Sequence, residues 1–153
     1  LVKEFENIVI TRTFSKVYGL AGLRIGWCYA SKKVAAILNK IKGPFNTQSI
    51  SQELAIIALE DKEYLKKVIK DNYKVKFWFE EELKKINIDT HPSEGNFSFI
   101  ITSKEKAKEI GIHLMNEGII IRQLDSYKLP NCLRITIGTR EEMEATIQSL
   151  KKI

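Results

Sequence analysis

The spacing of apolar positions changes several times along the chain, and each change marks a new element. Residues 7–13 (N-I-V-I-T-R-T) form a short β-branched run that reads as a buried strand. It leads into Phe14-Ser15-Lys16 and a stretch punctuated by Gly19 and Gly22, so a strand delivers Lys16 into a loop. Residues 24–30 (R-I-G-W-C-Y-A) predict the next strand. Ser31 is placed to cap an amphipathic helix over residues 32–41, which Gly43-Pro44 ends. An Ala/Ile/Leu-rich helix follows, from Ser49 or Ser51 to Leu59. A longer helix over residues 62–86 has Tyr64, Leu65, Val68, Ile69, Phe77 and Leu83 at helical spacing. Its length predicts a connector between two lobes, with Tyr73, Phe77, Trp78 and Phe79 packed on its apolar face.

After Pro92 the pattern alternates. Strands are predicted at residues 97–102, 119–122 and 133–137, and helices at 104–117 and 141–152, which makes an α+β lobe. Gly118 stands where a left-handed residue would close the first of these helices and let a strand follow at once.

Composition narrows the class. With 153 residues, 44% of them hydrophobic, the chain has enough apolar mass for one ordinary core or two small ones. No apolar run approaches the roughly 20 residues that span a bilayer, and the opening residues are charged, so the cytoplasm is the expected compartment. Leu1 is not a methionine and the chain opens straight into a strand-like segment, so it is expected to begin within a longer polypeptide. Cys28 and Cys132 lack metal or redox spacing and are expected to pack as small hydrophobes. His91 and His113 have no ligand partners at metal spacing and read as structural or surface residues; no metal is expected. A net charge of +6 raises nucleic-acid binding as a remote possibility. The excess is lysine interleaved with glutamate along helices, the pattern of solvated faces, so neither nucleic acid nor membrane is expected as a partner.

Residues 11–26 (T-R-T-F-S-K-V-Y-G-L-A-G-L-R-I-G) carry the chemistry. A lysine offers a flexible primary amine that attacks a carbonyl and then shuttles a proton. Eight residues on, Arg24 offers a permanently charged fork suited to phosphate oxygens, and Ser15 adds a hydroxyl. A single S-K pair means little, but S-K, a glycine-rich turn and L-R-x-G in sequence are hard to explain as solvated surface.

This segment resembles the lysine motif of fold-type-I pyridoxal-phosphate-dependent aminotransferases, particularly the histidinol-phosphate aminotransferase group. The resemblance implies that Lys16 carries pyridoxal 5'-phosphate and that Ser15, Arg24 and Thr13 hold its phosphate. Further along, P-F-N at residues 44–46 and P-S-E-G-N-F at residues 92–97 resemble the family's inter-lobe and pocket-edge elements, which would bring Asn46 and Asn96 to the substrate. Residues 118–142 contain L-R-I-T-I-G and are similar to the small-domain signature, in which the arginine recognises the anionic end of the substrate. That role falls to Arg134, with Arg122 as a second anion contact. The alternative for Arg134 is a sheet-face arginine paired to Glu141 or Glu142. Arg140 fits that description better.

Two departures bear on specificity. Gln123 stands where proline often follows the arginine, and Tyr127-Lys128-Leu129-Pro130-Asn131 replaces a Y-G-L-P-N form.

The resemblance implies an α/β fold: residues 1–45 end a large cofactor-binding domain, residues 46–88 are inter-lobe helices, and residues 89–153 form a small α+β C-terminal domain. It implies amino transfer from L-histidinol phosphate to 2-oxoglutarate in histidine biosynthesis by a cytoplasmic, homodimeric full-length protein. An aromatic or broad-range aminotransferase is the nearest alternative, and a lyase of the same fold a further one. The aspartate that holds the pyridine nitrogen and the stacking aromatic ring are not identifiable before Thr11, so the chain by itself is expected to be inactive.

Overall fold

A computed structural model describes residues 4–153; residues 1–3, part of the charged opening stretch, lie outside it. The chain divides into two compact units, Leu1–Ile69 and Lys70–Ile153.

In the first unit β1 (Ile10–Thr13) pairs antiparallel with β2 (Gly26–Tyr29), Thr11 opposite Cys28 and Thr13 opposite Gly26. A Cβ at Gly26 would lie 2.7 Å from the Arg12 carbonyl oxygen, so glycine lets the strands close. β2 starts later than its sequence pattern predicts. A 3-10 turn at Ala21–Leu23 ends with Arg24 in the left-handed region at φ 49°, which no strand residue adopts. α1 (Lys32–Ile41) has the expected bounds, and the Ser31 hydroxyl accepts from Val34 N at 3.4 Å. α2 (Ser49–Glu60) follows, and α3 (Lys62–Lys85) begins in this unit, where Asp61 Oδ1 accepts from Tyr64 N at 2.9 Å.

Little of this unit is interior. Among its described residues the buried apolar side chains are Phe14 and Ala55, whereas Trp27, Ile41 and Ile57 are 45%, 74% and 60% exposed. Cys28 is exposed on β2, so it is not the packed hydrophobe expected of it; Cys132 in the second unit is.

The second unit is a two-layer α/β structure. β3 (Thr90–His91), β4 (Phe97–Ile101), β6 (Cys132–Thr136) and β5 (Arg122–Gln123) form an antiparallel sheet in the order β3-β4-β6-β5. α4 (Lys104–Asn116), α5 (Arg140–Leu150) and the later turns of α3 share a core with one face of it. That core joins Phe79 and Leu83 of α3, Ile110 and Leu114 of α4, Ile147 and Leu150 of α5, and the inward positions Ile100, Leu133 and Ile135. Alternate positions on β4 and β6 face the other way, as the two-residue period of a strand requires.

Local chemistry sets the helix ends. Ser103 caps α4 by accepting from Lys106 N at 3.1 Å. Gly118, at φ 80°, closes it with Gly118 N donating to Met115 O and Ile119 N to Leu114 O, the paired bonds of a left-handed helix stop. Because the Ile119 N–H is spent on the helix, β5 begins only at Arg122, although a strand is predicted from residue 119. Ile119 and Ile121 pack against the core instead. α5 starts with a reciprocal box in which the Thr139 hydroxyl accepts from Glu142 N, and Thr139 N donates to the Glu142 carboxylate. His113 Nε2 lies 2.9 Å from Ser149 O and ties α4 to α5.

The aromatics of α3 do not all pack as expected. Lys76, Phe79 and Leu83 lie on the buried face, and Tyr73 and Phe77, displaced from it around the helix, are 70% and 61% exposed. Trp78 sits beneath the Arg140 guanidinium, 3.3 Å from its ring centre.

Candidate active site

Two constellations carry the predicted site residues, one in each unit. The first is the loop between β1 and β2. Phe14 anchors it: its side chain is 3% exposed, its N–H donates to Ile25 O at 3.2 Å, and its carbonyl accepts from Leu20 N at 3.0 Å. The loop is therefore closed on itself at its base. Ser15 N donates to Thr13 Oγ1 at 3.0 Å, and Gly19, at φ 70°, turns the chain so that its N–H meets the Lys16 carbonyl at 2.9 Å. Below the loop, fully buried Ser51 of α2 donates to Leu23 O at 3.1 Å. Lys16 projects from this frame exposed, and its amine has no hydrogen-bond or ion-pair partner among the described residues. Arg24 is also exposed. One of its terminal nitrogens donates to Ala21 O at 2.9 Å, a bond to its own turn that leaves the rest of the fork available. Ser15, Lys16 and Arg24 thus belong to one short closed loop with Thr13 at its edge as the last residue of β1, whereas Asn46 lies apart from it in sequence, exposed beyond Phe45, which is 99% exposed at φ 53°.

The second constellation is the sheet face turned away from the helices of the second unit. Pairing puts His91 opposite Phe99, Phe99 opposite Arg134, and Arg134 opposite Arg122, a row across all four strands. Directly paired residues project to the same face. Two arginines therefore stand side by side, an arrangement that costs energy unless an anion lies between them. Arg134 is half-buried, its guanidinium lies 5.5 Å from the centre of the Phe97 ring, and its Nε–H is buried with no hydrogen-bond partner. A buried donor left unmade costs about 1–3 kcal/mol, so this atom asks for an acceptor. The ion pair to Glu141 or Glu142 considered from sequence is not formed. Arg140 does pair within its own helix, with Glu144 at 2.6 Å. Arg122 is exposed over the Tyr127 ring at 5.7 Å. Asn96 is exposed at the head of β4, held through its carbonyl, which accepts from Ile137 N at 2.9 Å.

Sequence spacing does not bring the Phe97, Phe99 and Tyr127 rings to the arginines, nor His91 to the same row. Cross-strand register puts them there, and local spacing does not reveal register. Among the described residues no group of three or more His, Cys, Asp or Glu side chains is arranged to hold a metal ion. No helix among them is long and apolar enough to cross a membrane.

Glutamates at the helix ends are held below their ordinary value of 4.5. Backbone N–H donors at the starts of α4 and α5 lower Glu105 and Glu141, and Lys152 and Lys85 lower Glu117 and Glu82.

A histidinol-phosphate aminotransferase of Cereibacter sphaeroides is 42% identical over 139 residues, covering 90% of this chain and 38% of its own length. The crystal structure of a histidinol-phosphate aminotransferase from Sinorhizobium meliloti in complex with pyridoxal-5'-phosphate superposes with a TM-score of 0.88 at 31% identity, over 96% of this chain and 41% of that one. L-threonine-O-3-phosphate decarboxylase from Porphyromonas gingivalis has the same fold, with a TM-score of 0.84 at 23% identity over 99% of this chain and 48% of that one. The chain thus spans about two fifths of the length of the curated relatives it matches. The family model for aminotransferase class I and II matches residues 1–150, and the chain belongs to that family.

Proposed function

We propose that this chain is the C-terminal part of a pyridoxal-phosphate-dependent aminotransferase that moves an amino group from L-histidinol phosphate to 2-oxoglutarate. One observation carries the reading: a closed loop presents an unpartnered lysine amine together with a serine hydroxyl and an arginine fork. That donor set fits the cofactor. A primary amine meets an aldehyde, and a hydroxyl with a guanidinium meets a phosphate.

Lys16 would hold the cofactor through its amine, and Ser15, Thr13 and Arg24 would hold its phosphate. When bound, the cofactor supplies an electron sink for the carbon that bears the substrate amino group. Displaced by the substrate's amino group, Lys16 Nζ would be free to act as base and acid, taking a proton from that carbon and returning one. Arg134, with Arg122 beside it, grips the anionic end of the substrate. One fork would serve a phosphate in one half-reaction and a carboxylate in the other. Asn96 and Asn46 would border the substrate. The relatives' names support the amino donor, and an aromatic or broad-range aminotransferase is the neighbouring choice. The full-length protein would work as a cytoplasmic homodimer in histidine biosynthesis. The partner of the ring nitrogen and the stacking ring would come from a preceding segment of the longer polypeptide, so the 153-residue chain alone would not turn over.

The test uses that longer polypeptide. Borohydride reduction in the presence of pyridoxal phosphate followed by peptide mapping should place the label on the Lys16 peptide. Lys16→Ala should lower turnover by at least ~10³, within the span of enzymatic rate enhancement. Arg134→Lys should raise KM for the anionic substrates roughly 10–100-fold, the equivalent of about 1.5–3 kcal/mol for a hydrogen bond to a charged group. Label on another lysine would overturn the assignment. Release of carbon dioxide without consumption of 2-oxoglutarate would make the protein a lyase.

A further inference from the structure

A partly buried ion pair lies behind the Arg134 face and has no part in the function proposed above. Lys76 of α3 is 9% exposed, and its amine donates to the carbonyl of Ser93, in the turn that leads into β4. Among the described residues its ion-pair partner is Glu80, one helical turn on, with Nζ to Oε1 at 3.9 Å. The same Glu80 oxygen accepts from the hydroxyl of Ser98, which is fully buried on the inward face of β4, at 2.9 Å. Ser93 also folds the turn from within, its hydroxyl accepting from Gly95 N at 3.1 Å. The pair therefore grips the 92–97 turn at two points, one at its start and one just beyond its end.

Two features of that turn matter for the outer face of the sheet. Asn96 fixes the approach of β6 through its bond from Ile137 N, and Phe97 supplies the ring on which the Arg134 guanidinium rests. Ser98, held from the helix side, is the next residue to Phe97, and consecutive strand residues point to opposite faces. Movement at Ser98 therefore moves the Phe97 ring. At 3.9 Å, with the Glu80 side chain a quarter exposed, the pair is a weak source of stability, since partly solvated ion pairs contribute little. Its use here is better sought in geometry than in stability.

We propose that Lys76 and Glu80 are positioning residues for anion capture. By pinning Ser93 and Ser98 they fix Asn96 and Phe97, and through the Phe97 ring they fix the direction of the Arg134 fork. This rests on the reading of Arg134 as the anion-binding residue. Groups that bind ligand need supports locked by packing and hydrogen bonds, and a displacement of about 1 Å is enough to lower their performance severalfold to a hundredfold.

The experiment uses the full 153-residue chain and inorganic phosphate and succinate as probes, following the Arg134 Nε–H in proton–nitrogen correlation spectra. Phosphate and succinate should both perturb that signal. Lys76→Met/Glu80→Gln removes both charges together and keeps a hydrogen-bond acceptor for Ser98, so the unit stays folded. It should weaken either anion about tenfold and shift the Arg134 Nε–H and Asn96 amide signals before any anion is added. Lys76→Arg, which keeps a cation that can reach the Ser93 carbonyl, should return affinity to within about twofold of the unsubstituted chain. In an Arg134→Lys background the double substitution should have no further effect. Unchanged anion affinity in a folded double variant overturns the positioning role and leaves the reading of Arg134 intact. If the unsubstituted chain binds neither anion at Arg134, that reading fails, and the positioning role is then judged by the anion-free spectra. Unmoved Arg134 and Asn96 signals in the double variant overturn it.

Discussion

The two units differ most in what they do with their apolar residues. The second folds three helical faces onto one side of a four-stranded sheet, and side chains as large as Phe79, Leu83, Leu114 and Leu133 are fully buried. The first contains a two-stranded hairpin and α1, which buries none of its residues despite a well-segregated apolar stripe, and it leaves Ile37, Ile41, Ile50 and Ile57 exposed. Burying a side chain of that size contributes about 1.5–3 kcal/mol, so within these 153 residues the first unit draws little stabilisation from burial. A two-stranded hairpin is marginal by itself. Yet the residues proposed to hold the cofactor lie in that unit. Arg134, by contrast, lies on a sheet whose other face is backed by a core within these residues.

The largest expected effect of this difference is on local opening. Hydrogen exchange on the 153-residue chain should protect the β4 and β6 amides at least ~10³-fold more than those of α1, because opening ranges from nearly free in unpacked segments to the global cost in a core. Equal protection in α1 would break the comparison. Next in size are core deletions. Leu114→Ala should destabilise the second unit by roughly 2–5 kcal/mol in urea titration, and Ile57→Ala, at an exposed site, should stay within about 0.5 kcal/mol. A large loss from Ile57→Ala would show that the α2 surface is already covered.

The smallest effect is on acid stability, and it belongs to the helix ends of the second unit. Glu105 and Glu141 are held below 4.5 by backbone donors at their helix starts. A carboxylate lowered in the folded state contributes fully above its unfolded value and is lost as pH falls through its lower native value. Unfolding midpoints should therefore be flat above pH ~5 and fall below pH ~4.5, and Glu141→Gln should reduce that slope. An unaltered slope in Glu141→Gln would remove the helix start as its source.

Much of this was legible in the sequence where the signal is local. The bounds of α1 follow from Ser31 and the Gly43-Pro44 stop, and the close of α4 from Gly118. The family and the fold follow from residues 11–26 and 118–142, both within the span that the family model matches. What the sequence hid depends on register and on competition for single groups. β3 has two residues beside Pro92 and no period to detect. β5 is short because Ile119 N closes a helix. Arg24 looks like the start of a strand and is instead a left-handed turn residue. The row His91, Phe99, Arg134, Arg122 joins segments far apart in sequence, so no spacing rule brings its members together.

That row has a thermodynamic consequence. With Arg122 and Arg134 directly opposed and the buried Arg134 Nε–H unpaired among the described residues, a phosphate or carboxylate that settled on this sheet face would act as part of the fold. An anion that binds only the folded form adds about 1.4 kcal/mol for each tenfold excess over its Kd. The melting temperature of the second unit should therefore depend on the buffer anion, and a bound anion would do for this face what a hydrophobic neighbour does for the other.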